Sequence, residues 1–279
     1  MQINDAIIYA TRKLNYSNSK RIDSEVLLCS VLKCNRIKLY TYPEQKLSNT
    51  DQQAFKKLVE KRSKGYPVAY LTKQKEFWKH TLLVNENILI PRPETELLVE
   101  KSLELISLHS LKEVLELGTG SGAIAIAIAS EKPEINIRAT DINNNVLNIS
   151  RRNAESYKIK NIKFIKSDWF TNIDANNYDL IVSNPPYISN DDPILNNSDI
   201  RFEPNSALVS GAGGLDDLRK IICKSRTYLK DYGWLIIEHA YNQGVRVREF
   251  FIKNNFTATT IKDYNELERI TYGKLLQRK

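Results

Sequence analysis

The chain has 279 residues, 42% hydrophobic and 27% charged, a balance that excludes a disordered or fibrous protein. No apolar run reaches the roughly 18 residues of a membrane span, and the first residues lack a signal-peptide layout, so a cytoplasmic protein without a membrane partner is expected. The net charge of +8 is uneven: residues 1–80 carry 16 Lys and Arg against 7 Asp and Glu, and the rest carry 25 against 26.

The basic segment reads as helices. Ile3, Ile7, Ala10 and Leu14 share one stripe, and Ser19 precedes a second helix whose core candidates are Ile22, Val26, Leu27 and Leu32. A third helix is expected over 51–62, with Thr50 and Gln53 spaced as a capping box. Residues 1–74 are therefore expected to form a small helical bundle. Its charge fits an acidic partner surface or a nucleic-acid-rich neighbourhood, and a solvated lysine-rich face about equally well. Residues 75–93 follow as a hairpin turning at Asn85, Glu86 and Asn87, then a stiff link through Pro91, Arg92 and Pro93. The remaining domain spans 94–279.

From residue 111 apolar runs alternate with helical patterns: strands over 114–117, 135–140, 162–165, 178–182 and 234–238, helices over 123–130, 146–157, 215–229 and 244–253, and two terminal strands. Such alternation specifies an α/β domain with a mostly parallel, doubly wound sheet covered by helices on both faces. Three cysteines lack metal spacing and three histidines are scattered, so neither a metal centre nor a Ser/His/Asp or Cys/His constellation is expected.

The run "VLELGTGSGAIAIAIA" (114–129) is a strand, a glycine-rich turn and a helix. Gly118, Gly120 and Gly122 let a ligand approach the backbone closely, and Asp141 ends the next strand where an acidic side chain takes ribose hydroxyls. The turn also fits a dinucleotide loop. Two features favour S-adenosylmethionine. Glu116 stands just before the loop, where it repels a pyrophosphate but can hold an ammonium or ribose. Asp168 and Trp169 pair an acceptor with a flat aromatic that can read and stack on adenine. A nicotinamide cofactor and a purely structural turn stay open on these residues alone.

The fourth strand ends in Asn184, Pro185, Pro186 and Tyr187. An amide or aromatic amine nitrogen is a poor nucleophile because its lone pair is delocalised. Two fixed acceptors on its N–H groups orient it and hold developing charge. The Asn184 side-chain oxygen and the rigid Pro185 carbonyl form such a pair, and Tyr187 can cover the flat face of the substrate.

These stretches, "ILIPRPETE" (88–96), "LELGTGSGAIAIA" (115–127), "ATDIN" (139–143), "SDWF" (167–170), "IVSNPPYI" (181–188) and "RFEPNSAL" (201–208), resemble the HemK/PrmC family of protein-(glutamine-N5) methyltransferases. The resemblance implies a Rossmann-like, seven-stranded S-adenosylmethionine-dependent methyltransferase sheet with an amino-terminal helical bundle that binds class 1 peptide chain release factors. It implies that Gly118, Thr119, Gly120, Ser121, Gly122, Asp141, Trp169 and Asn184 bind the cofactor, which leaves as S-adenosyl-L-homocysteine. Residues 184–187 would hold the glutamine of the Gly-Gly-Gln loop, with Arg92, Glu94 and the segment Arg201 to Pro204 nearby. A monomer without metal and without direct nucleic-acid contact is expected. Lys79 and His239 stand where the family usually has glycine. The rival readings are a nucleic-acid amino methyltransferase, which meets the same chemical problem with the same motif, and an adapter that keeps the fold without catalysis.

Overall fold

A computed structural model of the protein describes residues 1–15, 17–175, 177–196 and 199–277, which fall into two units: residues 1–74 with 193–202, and residues 75–192 with 203–279.

In the first unit five helices form where the sequence offers caps and apolar stripes. They are α1 (Ile3–Lys13), α2 (Lys20–Leu32), α3 (Arg36–Thr41), α4 (Asn49–Ser63) and α5 (Val68–Thr72). Ser48, not Thr50, caps α4, its hydroxyl accepting from the Asp51 N–H at 3.0 Å. Asn35 caps α3 in the same way through Lys38, a short helix with too few turns to show a period. Ile3, Ala6, Ala10, Leu27, Leu28, Phe55 and Val59 form the core, whereas Ile22 is half exposed because it lies on the other side of α2 from Leu27 and Leu28. The Glu25 side chain is fully buried and takes hydrogen bonds from Arg21, Arg36 and Tyr40. Arg62 joins Asp23 at 2.8 Å to Asp199 at 2.7 Å, so the excursion 193–202 is tied into the bundle by charge.

The second unit opens with a hairpin, β1 (Gln74–Phe77) and β2 (His80–Leu83). It turns at Trp78 and Lys79, with Trp78 at φ 55°, rather than at Asn85 to Asn87. The asparagine turn instead follows β2, where the Asn85 side chain accepts from the Asn87 N–H. A 3-10 turn (Pro93–Thr95) then leads into α6 (Glu96–His109). The order continues β3 (Glu113–Leu117), α7 (Ala123–Glu131), β4 (Asn136–Asp141), α8 (Asn144–Ser156), β5 (Ile162–Lys166), β6 (Tyr178–Ser183), α9 (Asp216–Tyr228), β7 (Leu229–Glu238), α10 (Gly244–Lys253), β8 (Thr259–Lys262) and β9 (Glu268–Lys274).

These strands build the expected seven-stranded sheet in the order β5-β4-β3-β6-β7-β9-β8, parallel except for β9. Apolar layers pack on both of its faces, so the central strands read as continuous apolar runs. Residues 123–129 of α7 are all buried, and all seven are alanine or isoleucine. Chain order reverses between β3 and β6, and an open parallel sheet has its crevice at such a point, outside the carboxyl ends of the strands.

Candidate active site

That crevice is occupied by a cleft of about 380 Å³ lined by, among others, Thr95, Gly118, Asp141, Trp169, Asn184 and Pro186. Its floor is the loop after β3. Gly118, Gly120 and Gly122 take φ values of 72°, 56° and 85°, the left-handed region that side-chain-bearing residues avoid. The Asp141 carboxylate, at the end of β4, accepts the Gly120 N–H through Oδ2 at 3.2 Å and the Asn143 N–H through Oδ1 at 3.0 Å. Ser150 secures the loop from α8 by donating to the Gly120 carbonyl at 2.6 Å. Burial raises the Asp141 pKa against the opposing pull of the Asn143, Gly120 and Ile142 N–H groups.

Glu116 does not line the cleft: it lies beneath this loop, 1% exposed. Its Oε2 accepts the Thr119 hydroxyl at 2.7 Å, while Oε1 is buried without a hydrogen-bond partner. Burial pushes its pKa up to about 8, with the Asp141 charge adding to the rise. A carboxyl with one empty acceptor suits an added cation or hydroxyl group.

Trp169 stands over the loop at φ 49°, and a side chain on Gly118 would meet its ring at 3.4 Å. Its indole N–H donates to Asp217 at 3.1 Å, and Asp217 also takes the Ser210 hydroxyl at 2.8 Å. Asp168 also lines the cleft but is half exposed and pairs with Lys220 at 3.2 Å.

At the end of β6 the Asn184 side chain donates through Nδ2 to the Thr95 hydroxyl at 3.1 Å, and its Oδ1 is buried without a partner. Tyr187 is anchored from both directions: its N–H donates to Leu208 O at 3.2 Å, and its carbonyl accepts from the Gln243 side chain at 2.9 Å. The phenol donates to Glu238 at 3.3 Å. Burial raises its pKa, aided by the Glu238 charge, so Tyr187 stays protonated.

The sheet thus brings Arg92, Gly118, Thr119, Gly120, Ser121, Asp141, Asp168, Trp169, Asn184 and Pro186 around one cleft. Gly122 stands behind the loop as the residue before α7. Pro185 is buried within its turn. Arg92 pairs with Glu203, which also accepts the Ile90 N–H at 3.0 Å. Glu94 does not line the cleft, although its charge reaches Glu238 and Arg269. Arg201 belongs to the first unit, where its guanidinium donates to the Lys64 carbonyl and covers the Phe202 ring. The sequence reading missed Thr95, Asp217 and Glu238. A carboxylate at the end of β7, beside the strand that carries Asn184, was the one usable signal for Glu238. Asp217 had none. Among the described residues no group of three or more His, Cys, Asp and Glu is arranged to hold a metal ion, and no helix is long and apolar enough to cross a membrane.

A glycine loop, a strand-end acid and an Asn-Pro-Pro-Tyr turn at the switch point of this sheet define a Rossmann-like methyltransferase. The methyltransferase small domain model matches residues 93–199 and the PrmC N-terminal domain model matches residues 5–72. The chain is 40% identical to the release factor glutamine methyltransferase of Escherichia coli (strain K12) over 96% of its length and 97% of the relative's. It is 41% identical to that of Shewanella oneidensis over 92% and 90%, and 42% identical to that of Buchnera aphidicola subsp. Schizaphis graminum over 98% and 99%. Among solved structures, the hMettl16 catalytic domain superposes with a TM-score of 0.57 at 15% identity, over 82% of this chain and 83% of that one. A methyltransferase from Pyrococcus furiosus gives 0.52 at 16%, over 71% and 90%. These two likenesses speak to the fold. The chain belongs to the release factor glutamine methyltransferase family.

Proposed function

We propose that this enzyme transfers a methyl group from S-adenosyl-L-methionine to the side-chain amide nitrogen of the glutamine in the Gly-Gly-Gln loop of class 1 peptide chain release factors. The observation that carries the reading is the buried, unpartnered Oδ1 of Asn184 at the cleft, an acceptor waiting for an N–H donor. A buried polar atom left alone is costly, so its partner is expected in the complex.

The cleft fits this cofactor. Asp141 keeps acceptor capacity on both oxygens for ribose hydroxyls, the Trp169 ring offers a flat surface for adenine, and the free Oε1 of Glu116 suits the aminoacyl ammonium. When bound, S-adenosyl-L-methionine supplies a methyl group activated by a positively charged sulfur and departs as S-adenosyl-L-homocysteine. The chain does the rest by placement. Asn184 Oδ1 and the Pro185 carbonyl each accept one N–H of the glutamine amide, which fixes the nitrogen and holds the positive charge that grows on it as its bond to the methyl forms and the sulfur–methyl bond breaks; the surplus N–H proton then passes to solvent. Tyr187, kept protonated, is no base. Its ring is assigned to the flat face of the substrate amide, and Arg92, held by Glu203, borders the cleft.

The helical bundle is the part we assign to docking the release factor, supported by its match to the PrmC N-terminal domain and the excess of 8 positive charges (14 Lys and Arg against 6 Asp and Glu) in residues 1–74. Mass spectrometry after incubation with labelled cofactor, a release factor and a DNA duplex tests the whole reading. One added methyl on the Gly-Gly-Gln glutamine is expected. Label in the DNA alone overturns the substrate, and label in neither overturns catalysis.

A further inference from the structure

The two ends of an asparagine amide are nearly the same size, so nothing in Asn184 itself decides whether oxygen or nitrogen meets the substrate. If nitrogen did, it would face the NH2 of a glutamine donor to donor, and the acceptor pair would be lost. The neighbours must settle the matter. Asn184 Nδ2 donates to the Thr95 hydroxyl. That hydroxyl has a single hydrogen, and it lies close enough to the Glu238 carboxyl to favour its ionised form; the Tyr187 phenol donates to Glu238 Oε1 at 3.3 Å, and Oε2 is buried without a hydrogen-bond partner, an open acceptor for that hydrogen. Thr95 is 4% exposed and Glu238 2%. When that hydrogen turns to the open carboxylate oxygen, Thr95 can only accept from Asn184, which agrees with the amide as it stands: nitrogen on Thr95, and oxygen buried without a partner at the cleft.

Resting on the functional reading above, we propose that Thr95 and Glu238 are positioning residues for methyl transfer: they form a hydrogen-bond relay that fixes the Asn184 amide with its oxygen toward the substrate. Three separate elements supply it, the turn before α6, the end of β6 and the end of β7, so the relay also locks the substrate-facing turn to the sheet.

A protonated Glu238 could itself donate, which would release the Thr95 hydrogen toward Asn184 and let the amide turn. The relay therefore weakens in acid. Burial puts this carboxyl at about 7, and Thr95 and Tyr187 pull it down, as does Arg269 on β9, while Glu94 on the 3-10 turn pushes it up. Arg92 faces Tyr187 from the link. His239, next on the chain, is turned away to Thr271 at 2.9 Å.

The test measures kcat, KM and cofactor affinity for wild type and for Thr95→Val, Thr95→Ser and Glu238→Gln, with a release factor as substrate. Valine keeps the shape of threonine but neither donates nor accepts. We expect Thr95→Val to lower kcat about 100-fold, the scale of a lost transition-state hydrogen bond, with cofactor affinity kept and the melting midpoint lowered by only a few degrees, the cost of the buried N–H left without its acceptor. Thr95→Ser should stay within a few-fold of wild type, and Glu238→Gln should lose both rate and the acidic limb of the kcat profile. A Thr95→Val variant as fast as wild type overturns the relay, as does a Thr95→Ser variant as slow as Thr95→Val, or an acidic limb that survives in Glu238→Gln. A wild-type enzyme that puts no methyl on the glutamine overturns the functional reading first.

Discussion

The Asp141 carboxylate and the Gly120 N–H meet at 3.2 Å across the ends of two parallel strands. One side chain thereby both shapes the glycine loop and presents acceptors to the cleft. Asp141→Ala is expected to weaken S-adenosyl-L-methionine binding about 100-fold, because loop order and ribose acceptors go together. Asp141→Asn keeps one acceptor oxygen and should lose less. Calorimetric titration checks this, and unchanged affinity in Asp141→Ala would remove Asp141 from the ribose site.

Trp169 is held over the loop by its N–H bond to Asp217 at 3.1 Å, in a left-handed conformation that costs a non-glycine residue roughly 1 kcal/mol. Asp217→Ala releases the indole, and the KM for the cofactor should rise about tenfold, the equivalent of one charge-assisted hydrogen bond. Steady-state kinetics with varied cofactor would show it. A KM equal to wild type would mean that packing alone holds the ring.

The sheet was legible because parallel strands buried on both faces leave long apolar runs, and the loop was legible because three closely spaced glycines have few structural uses. What supports the site was not. Thr95, Asp217 and Glu238 act through hydrogen bonds to residues 89, 48 and 51 positions away in the chain, and no local spacing encodes such a partner. The hairpin was misplaced for a similar reason. Asn85 and Asn87 carry strong turn propensity and do form a turn, but β1 pairs with β2 across Trp78, which takes a glycine-like φ while its indole is anchored to Glu131. The family resemblance puts Arg201 to Pro204 near the pocket as one segment, yet the chain from 193 to 202 groups with the bundle and only Glu203 and Pro204 fall in the sheet-bearing unit.

Asn184→Ala removes the amide oxygen without disturbing the glycine loop, which is tied instead to Asp141, Thr140 and Ser150. The expected outcome is a kcat lower by a factor of about 100 or more with the cofactor still bound. Rapid-quench measurement of a single turnover separates this from slow product release. A single-turnover rate near wild type would mean that the Pro185 carbonyl alone orients the substrate nitrogen.

Glu116 gives the fold a pH dependence whose sign is fixed by the direction of its shift. Its carboxyl is raised from 4.5 to about 8, chiefly by burial. The folded protein therefore holds this proton more tightly than the unfolded chain does. The stabilisation is complete below about pH 4.5, declines as the pH climbs through the window, and is gone above about pH 8, a difference on the order of a few kcal/mol. Glu116→Gln keeps the shape and removes the titration. Glu238 titrates in part of the same window but is present in both proteins, so it cancels in the comparison. Urea midpoints at pH 5, 7 and 8.5, without cofactor, should show wild type losing ground to Glu116→Gln as the pH rises, and parallel midpoints would mean that Glu116 does not titrate there. With S-adenosyl-L-methionine the effect should turn to advantage: if Oε1 takes the ammonium, wild-type affinity rises with pH as the carboxyl ionises, and Glu116→Gln shows no such rise.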